Sequence, residues 1–314
     1  MFKLFTSILT FSITLSAMAS PHVGIIVKME GKAQLLTEPS DKAPSGGKSA
    51  LFEGVYYKVL NARLGSKVKN GNILRTNKDS KAKIVFKNGD QFMVGQASAF
   101  KIDWSRNSVK KKPETTVELM YGALRGVVDK EGPRKNSKFK TRDAVMGIRG
   151  TDFHLLQKGT SGNSVLSVLR GNVEVQAKKT NRNVRVSKGF SAEVSKTGNS
   201  PKVSLIKTTK ADLIKVHKDS EIKKPRAVSD AKVKMEIEQL EKKATENVLR
   251  DINRYEPQLY KALKKNNVED AEEINKIVVG KIFKKAPKKR QKVGIDTLNL
   301  DEDAYDEYFK DGDF

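Results

Sequence analysis

Apolar and polar residues alternate with a period of two from Val23 to about Val203. Short β-branched or aromatic runs, such as Ile84-Val85-Phe86 and Val173-Glu174-Val175, are bounded by Gly, Asn, Asp and Lys. A period of two puts successive side chains on opposite faces of a strand. Because such runs recur at spacings of roughly ten residues, the pattern predicts a mainly β fold over residues 20–205, a sandwich or β-roll of many short strands.

A polar residue followed by Gly opens a strand at several places within this region. These places are Glu30-Gly31, Asn70-Gly71, Asn88-Gly89, Arg170-Gly171 and Lys188-Gly189. Asn-Gly is a strong hairpin signal because both turn positions tolerate a positive φ. The pairs 71/89 and 171/189 share a spacing of 18 residues. The equal spacing indicates two related halves stacked as a roll, with chance matches in a Gly-rich β protein as the alternative.

The period becomes helical at about Pro225. Pro257 interrupts the new pattern, and an Asn266-Asn267 turn precedes a further helical stretch. We therefore predict a linker over residues 206–227 and an α-helical region over 228–286. Its apolar stripes predict helices that pack on each other or on a partner, which makes the region a second docking surface. The first stripe consists of Val233, Ile237, Leu240, Ala244, Val248 (or Leu249), Ile252 and Tyr255.

The two ends of the chain differ from the rest. Residues 1–19 combine Lys3, an apolar stretch and a small-x-small site at Ala17-Met18-Ala19, the pattern of a signal peptide cleaved after Ala19. We therefore expect a periplasmic or secreted protein. No later segment approaches the roughly 20 apolar residues that span a bilayer, so we expect no transmembrane segment after cleavage. Residues 287–314 predict a disordered tail, first basic and then acidic.

The formal net charge is +24, and the positive charge lies mostly in the β region. Residues 21–220 carry 39 Lys and Arg against 17 Asp and Glu, whereas residues 293–314 carry 1 against 8. A basic surface favours anionic partners. For an exported chain these are envelope polymers such as peptidoglycan or another glycan, lipid head groups, or an acidic protein face, and we expect no nucleic acid. A basic composition without any such partner is the alternative. The chain has no Cys, so no disulfide supports the fold.

The residues do not form a recognisable catalytic or metal motif. His22, His154 and His217 share no ligand spacing, and Ser45 to Ser49 lack the upstream Gly of a phosphate-binding loop. His154 lies in a strand-like run, where a face residue is the simpler interpretation. We therefore predict no catalytic residues, no metal, no cofactor and no enzyme activity.

One stretch resembles a known family. Residues 141–153 read TRDAVMGIRGTDF, which is similar to the signature T-x-x-A-V-x-G-V-R-G-T-x-F of FecR-domain proteins. Segments 70–76, 82–90 and 168–175, which contain Gly71, Gly89 and Gly171, resemble further motifs of the family in the same order. The resemblance covers residues 23–195.

The resemblance implies a periplasmic, all-β signalling or binding module. The best-known members of the family are membrane-bound partners of sigma factors. This chain differs because its first hydrophobic stretch is an export signal, without a cytoplasmic sigma-binding segment before it. We therefore expect a non-enzymatic envelope module for signalling, scaffolding or protein binding, not a direct sigma-factor regulator. A cell-wall or anionic-glycan binding protein is the alternative.

The signature residues predict a bulged turn. Gly147 and Gly150 suit positions that need a positive φ or a close backbone approach. Arg149 has five donors that could tie loop carbonyls or a carboxylate, and Thr151 could bond a neighbouring backbone group. Together with Phe153 they are expected to act structurally, with ligand contact as the alternative.

Overall fold

A computed structural model describes residues 22–103, 115–131, 137–159, 163–180, 182–197 and 200–293. Eighteen strands precede four helices in this part of the chain. The first nine strands are β1 His22–Glu30, β2 Ala33–Ser40, β3 Ser49–Phe52, β4 Val55–Asn61, β5 Lys67–Lys69, β6 Ile73–Thr76, β7 Lys81–Phe86, β8 Gln91–Val94 and β9 Ala99–Asp103. The others are β10 Thr115–Val127, β11 Ser137–Lys140, β12 Ala144–Ile148, β13 Asp152–Gln157, β14 Ser164–Arg170, β15 Asn172–Ala177, β16 Asn183–Ser187, β17 Phe190–Thr197 and β18 Ser200–Lys207. The helices are α1 Lys210–Ser220, α2 Ala231–Tyr255, α3 Pro257–Lys265 and α4 Ala271–Lys285.

The strands form two hydrogen-bonded layers that share β10. Layer A has the order β5-β1-β7-β8-β10-β13-β14-β17-β18. Layer B has the order β3-β4-β2-β6-β9-β10-β11-β12-β15-β16. β10 passes from layer B to layer A at Gly122, where φ is +92°. The prediction of a mainly β fold of many short strands with C-terminal helices is confirmed.

Aromatic side chains from both layers meet in the core between them. Phe86, Phe92 and Phe153 come from layer A, and Phe100 and Phe139 come from layer B. Successive rings contact edge to face, with centroids between 4.8 and 6.4 Å apart. Such pairs stabilise a core beyond the burial of their area.

The polar-Gly pairs mark crossings between the layers more often than hairpins. Only Asn88-Gly89 closes a hairpin, where Phe86 N–H donates to Asp90 O at 2.9 Å. At the other four pairs the chain passes from one layer to the other, and Gly has a positive φ at all of them. The hairpin expectation at Asn70-Gly71 is therefore wrong, because a positive φ permits a sharp corner as readily as a hairpin. The 18-residue spacing shared by 71/89 and 171/189 does not mark a repeat. The two strands inside the first interval, β6 and β7, lie in different layers, whereas those inside the second, β15 and β16, lie in the same layer.

The helices cover the outer face of layer A. Met93, Val127 and Leu169 on that face pack in one buried cluster with residues of all four helices, including Ile252. Ile25, Val27 and Val85 form a second cluster with α2. The apolar stripes are thus buried against the chain's own sheet and against each other, so the expectation that these helices offer a second docking surface is not supported.

Two predicted boundaries need correction. The stretch 206–227 contains helix α1, which begins with a capping box between Thr209 and Asp212 and buries Leu213 and Val216. Residues 291–293, expected in a disordered tail, pair with the edge of β18: Lys207 N–H donates to Gln291 O, and Val293 N–H donates to Leu205 O, each at 3.1 Å. An edge strand offers unpaired backbone groups that such a segment satisfies.

Three other expectations concern the two ends of the chain and a membrane-spanning segment. The predicted signal peptide at 1–19 and the acidic residues from 294 to 314 lie outside the described residues. Within the described ranges, no helix combines the length and apolar character needed to cross a membrane.

Candidate functional site

The signature stretch forms a corner between the layers. β12 ends at Ile148 in layer B, β13 begins at Asp152 in layer A, and residues 149–151 connect them. Gly150 has a φ of +61°, and a Cβ there would lie 2.2 Å from Lys130 Cβ. Both facts require glycine, as predicted for this position. Gly147 is different: it lies inside β12, opposite Lys138 and Glu174, and its φ is not positive.

A second corner packs against the first. Gly171 joins β14 in layer A to β15 in layer B with a φ of +79°. A Cβ on Gly171 would lie 2.7 Å from Thr151 Cγ2 and 2.8 Å from Gly150 O. The fold thus brings Gly150, Thr151 and Gly171 together beside the buried Phe153. Gly71 and Gly89 lie elsewhere: Gly71 faces open space, and Gly89 abuts Asn247 of α2.

Among the described residues, Arg149 and Thr151 do not form the side-chain hydrogen bonds expected of them. Arg149 Nε and Thr151 Oγ1 are buried without a hydrogen-bond partner among the described residues. Instead, Arg149 lies near Lys130, whose pKa falls to about 8 because of burial and, next, the Arg149 charge. The Lys130 ammonium lies 3.5 Å from the centre of the Tyr255 ring of α2. The turn therefore contacts the helical layer through the Lys130 ammonium on the Tyr255 ring, and not through a hydrogen bond from Arg149 to a carbonyl.

An ionic group, which we call the corner cluster and which is buried except for Arg250, joins the signature corner to α2. It consists of Asp90, Asp129, Arg170, Arg250 and Asp251. Arg250 Nη2 lies 2.8 Å from Asp129 Oδ2, and Arg170 Nη1 lies 3.5 Å from Asp251 Oδ2. Asp129 N–H donates to Asp90 Oδ1 at 2.9 Å. Sequence reasoning missed this cluster because its members come from the β7–β8 turn, the segment after β10, β14 and α2, and no local spacing connects them.

Burial controls the acidity of the corner cluster. Burial raises the pKa of Asp90 to about 7, against hydrogen bonds from Asp129 N–H and the Asn88 side chain, and the Asp129 and Asp251 charges add to the increase. Burial also raises the pKa of Asp251, although Arg170 counteracts it. Because an unpaired buried carboxylate is costly, Asp251 needs Arg170, whereas Asp90 is stabilised by hydrogen bonds from Asp129 N–H and the Asn88 side chain. Nowhere in the described ranges do three or more His, Asp or Glu converge as a metal site would require.

Polar and charged side chains on the outer face of layer A form hydrogen bonds or ion pairs beneath the helices. Arg125 donates to both oxygens of Asp152, with Nε–Oδ1 at 2.9 Å and Nη2–Oδ2 at 2.7 Å, and both residues are buried. His154, one of the three histidines, lies 3.1 Å from Asp219 Oδ2 at the end of α1. Burial alone would raise the pKa of Asp219, but the hydrogen bond and charge of His154 outweigh it and hold that pKa low. Lys81 Nζ donates to Lys218 O and Glu221 O, both at 2.6 Å, and so caps α1.

The outer face of layer B is not covered by any helix of the described chain. We call it the open face, and its central strands are β9, β10 and β11. Val117, Leu119 and Phe139 point into the core, so their neighbours Glu118, Lys138 and Lys140 point outward. Outward residues form rows of opposite charge, in which Glu118 lies between Lys101 on β9 and Lys140 on β11.

The fold and the signature corner together define a two-layer β protein with a helical cover over one layer. Residues 72–174 match the family model described as FecR protein. The matched range runs from the β5–β6 corner into β15 and includes both the signature corner and Gly171. The resemblance of the motifs to the FecR family is therefore confirmed over residues 72–174.

Comparisons with curated proteins and with solved structures give no closer relationship. No curated protein matches the chain. Two crystal structures of a candidate anti-sigma factor from Parabacteroides distasonis, at 2.50 and 1.65 Å resolution, are each 16% identical to this chain with a TM-score of 0.36. Each alignment covers 42% of this chain and 58% of that chain, so this chain spans little more than half the length of those structures.

Proposed function

We propose that this protein is an exported, non-enzymatic FecR-domain module of the cell envelope that binds a protein partner in signalling or scaffolding. The observation that carries the proposal is the asymmetry of the two outer sheet faces. The chain's own helices occupy the outer face of layer A, whereas no helix among the described residues covers the open face of layer B. The open face is therefore the broad β surface on which a partner can dock.

The chemistry of the open face suits a protein partner. Its rows of Lys and Glu can pair with complementary charges, which gives specificity and fast association. At one edge of layer B the β3–β4 hairpin adds an apolar region around Phe52 and Tyr57. Leu51 and Leu60 of this hairpin are 60% and 44% exposed but point to its other side, because Leu60 pairs with the core-facing Leu35 and Leu51 alternates with Phe52. The charged rows of β9, β10 and β11 are therefore the part of the open face that favours a protein partner.

Export is part of the proposal and rests on the Ala17-Met18-Ala19 cleavage pattern. In this account the module relays or anchors a signal in the envelope and does not hold a sigma factor itself. Mass spectrometry of the protein isolated from the envelope should give a chain that begins at Ser20. An intact N-terminus in the cytoplasmic fraction would contradict export.

The docking face can be tested with photo-crosslinking residues placed one at a time in living cells. Lys101, Lys138 and Lys140 represent the open face, and the exposed helical residues Lys234 and Lys261 are matched controls. We expect adducts with one partner from the layer B positions and none from the helices. Adducts that arise only from the helical positions would overturn the proposed face.

The basic charge of residues 21–220 favours an anionic polymer as the second candidate. Purified protein can be bound to peptidoglycan over a salt series. Retention that falls steeply with salt supports this candidate, because screening weakens exposed charge interactions. No retention at low salt eliminates it.

A further inference from the structure

An open groove of about 620 Å³ lies at one end of the two-layer sheet. Several crossings between the layers meet there: Gly31 and Lys32 between β1 and β2, residues 77–80 between β6 and β7, and Ala97 between β8 and β9. Tyr121 of β10 closes one side, next to the crossing at Gly122. Its volume is within the usual range for small-ligand sites, about 300–1,000 Å³.

The groove is held in shape by hydrogen bonds between its corners. Asn77 N–H donates to Lys32 O at 3.1 Å, and Ala97 N–H donates to Asn77 O at 2.9 Å. Lys32 N–H donates to Ser80 Oγ at 2.7 Å. Gly31, with a φ of +72°, lets Ser80 approach so closely that a Cβ would lie 2.3 Å from Ser80 Oγ. A preformed groove spares a ligand the entropic cost of ordering its site.

Cations dominate the lining of the groove. Arg75 is fixed by Gln34 Oε1, which accepts from Nε at 3.2 Å and from Nη2 at 2.5 Å. This leaves Arg75 Nη1 without a partner among the described residues. Lys32 and Lys78 are exposed and form no side-chain ion pair within that part of the chain, while Asp79 is the single carboxylate of the lining. A guanidinium held in place with free donors is suited to a carboxylate.

An aromatic ring lies beside these cations. Tyr121 is half-buried, and its ring centre lies 6.5 Å from that of Phe52, with an angle of 39° between the planes. A flat aromatic face next to a hydroxyl combines an apolar platform with a polar group. The apolar C–H face of a sugar ring fits such a platform, whereas a free inorganic anion does not use it.

We propose that this groove binds a carboxylated sugar unit of an envelope polymer. Arg75 receives the carboxylate, Lys32 and Lys78 add attraction for further acidic units along the polymer, and Tyr121 contacts the ring. The site adjoins the open face at Arg75 and Tyr121 but does not depend on a protein partner. It can therefore be present whether or not the proposed protein-binding role holds.

The test measures the affinity of purified full-length protein for oligogalacturonate, a chain of carboxylated sugars, by calorimetry. Arg75→Gln should weaken binding by about tenfold or more, because it removes charge-assisted hydrogen bonds. Arg75→Lys, which keeps the charge but loses the fork, should also weaken it. Lys242→Gln, an exposed cation on α2, is the matched control and should leave the affinity unchanged. Thermal melting of each variant confirms that it is folded.

Two further ligands separate the sources of affinity. Polyglutamate presents carboxylates without sugar rings, and dextran presents sugar rings without carboxylates. We expect oligogalacturonate to bind more tightly than polyglutamate, and dextran not to bind. Equal loss of affinity in Arg75→Gln and Lys242→Gln would overturn the groove as the site. Equal affinity for polyglutamate would overturn the sugar as its ligand, and no binding of oligogalacturonate would overturn the whole proposal.

Discussion

Gly150, Gly171 and Gly71 share a left-handed backbone but differ in their surroundings. Backbone and side-chain atoms crowd Gly150 and Gly171, whereas no atom lies within 4 Å of a Cβ added to Gly71. The left-handed conformation alone costs an L-residue roughly 1–2 kcal/mol. The two corners of the signature region therefore need glycine for two independent reasons, and Gly71 needs it for one.

This difference predicts the effect of alanine at each position. Gly71→Ala should lower the free energy of unfolding by about 1–2 kcal/mol. Gly171→Ala should lower it by a further 1–3 kcal/mol or so, because the new methyl group overlaps Thr151 and the Gly150 carbonyl. Denaturant unfolding of the two variants compares them directly. Equal losses would show that the packing of the two corners is not what requires Gly171.

Asp90 makes the stability of the protein depend on pH. Its folded pKa of about 7 is above its ordinary value of 3.8. The folded state therefore favours the protonated carboxyl, so this stabilisation is complete below about pH 4 and is lost as the pH rises through 7. Asp90→Asn mimics the protonated form and retains an acceptor for Asp129 N–H.

The stability of Asp90→Asn relative to wild type should consequently rise between pH 4 and pH 8, by roughly 2–4 kcal/mol. Asp79→Asn, at an exposed carboxylate, serves as the control. Unfolding free energies measured across this pH range test the idea. A constant difference between Asp90→Asn and wild type would contradict it.

At the scale of elements, the Arg125–Asp152 pair connects β10 to β13 beneath the helices. Arg125 is 4% exposed and Asp152 is 1% exposed. Removal of one partner leaves a buried charge without compensation, which costs about 3–5 kcal/mol, whereas removal of both is far less harmful. Arg125→Met should therefore destabilise the protein by that amount, and Arg125→Met with Asp152→Leu should recover most of it.

The control for this cycle is Lys264→Met, which breaks the exposed Lys264–Glu269 pair at 3.2 Å. Exposed pairs contribute about 0–1 kcal/mol, so this variant should stay close to wild type. Thermal or denaturant unfolding of wild type, Arg125→Met, Asp152→Leu and the double variant measures the coupling, with Lys264→Met alongside. A double variant as unstable as Arg125→Met alone would exclude compensation within the pair.

The strands could be predicted from the sequence, but their pairing could not. The period of two between Val23 and Val203 fixes which side chains face the core, because alternation is a local property. Whether the chain forms a hairpin or a corner between layers at Gly71 or Gly171 depends on which layer the next strand joins. That choice is set by pairing with strands that are distant in the sequence. Helix α1 was missed because it is short and buries only Leu213 and Val216, too few to mark a stripe.

The candidate site shows the same division between local and distant information. The signature motif pointed to Gly150 and Phe153, whose roles depend on local backbone shape and on burial. It also predicted that Arg149 donates hydrogen bonds to loop carbonyls or a carboxylate, but Arg149 Nε has no such partner among the described residues. The corner cluster and the groove around Arg75 combine residues from separate elements, so they could not be predicted from spacing along the chain.

At the scale of the whole molecule, the C-terminal helices determine which surface is available. They cover the outer face of layer A and hydrogen-bond its polar side chains, as the bonds of Lys81 to α1 and of His154 to Asp219 show. The open face of layer B, with the groove at its end, remains available. An envelope partner that docks on this protein should therefore protect layer B and leave the exposed sides of the helices unchanged.

Thiol labelling tests this claim most directly, since the chain has no Cys of its own. Lys138→Cys reports on the open face, and Lys242→Cys on the exposed side of α2. The rate of maleimide labelling is compared between the purified protein and cells with a permeabilised outer membrane. We predict that Lys138→Cys reacts several times more slowly in cells than in the purified protein, while Lys242→Cys reacts equally in both. Equal rates for Lys138→Cys, or protection of Lys242→Cys instead, would contradict the account.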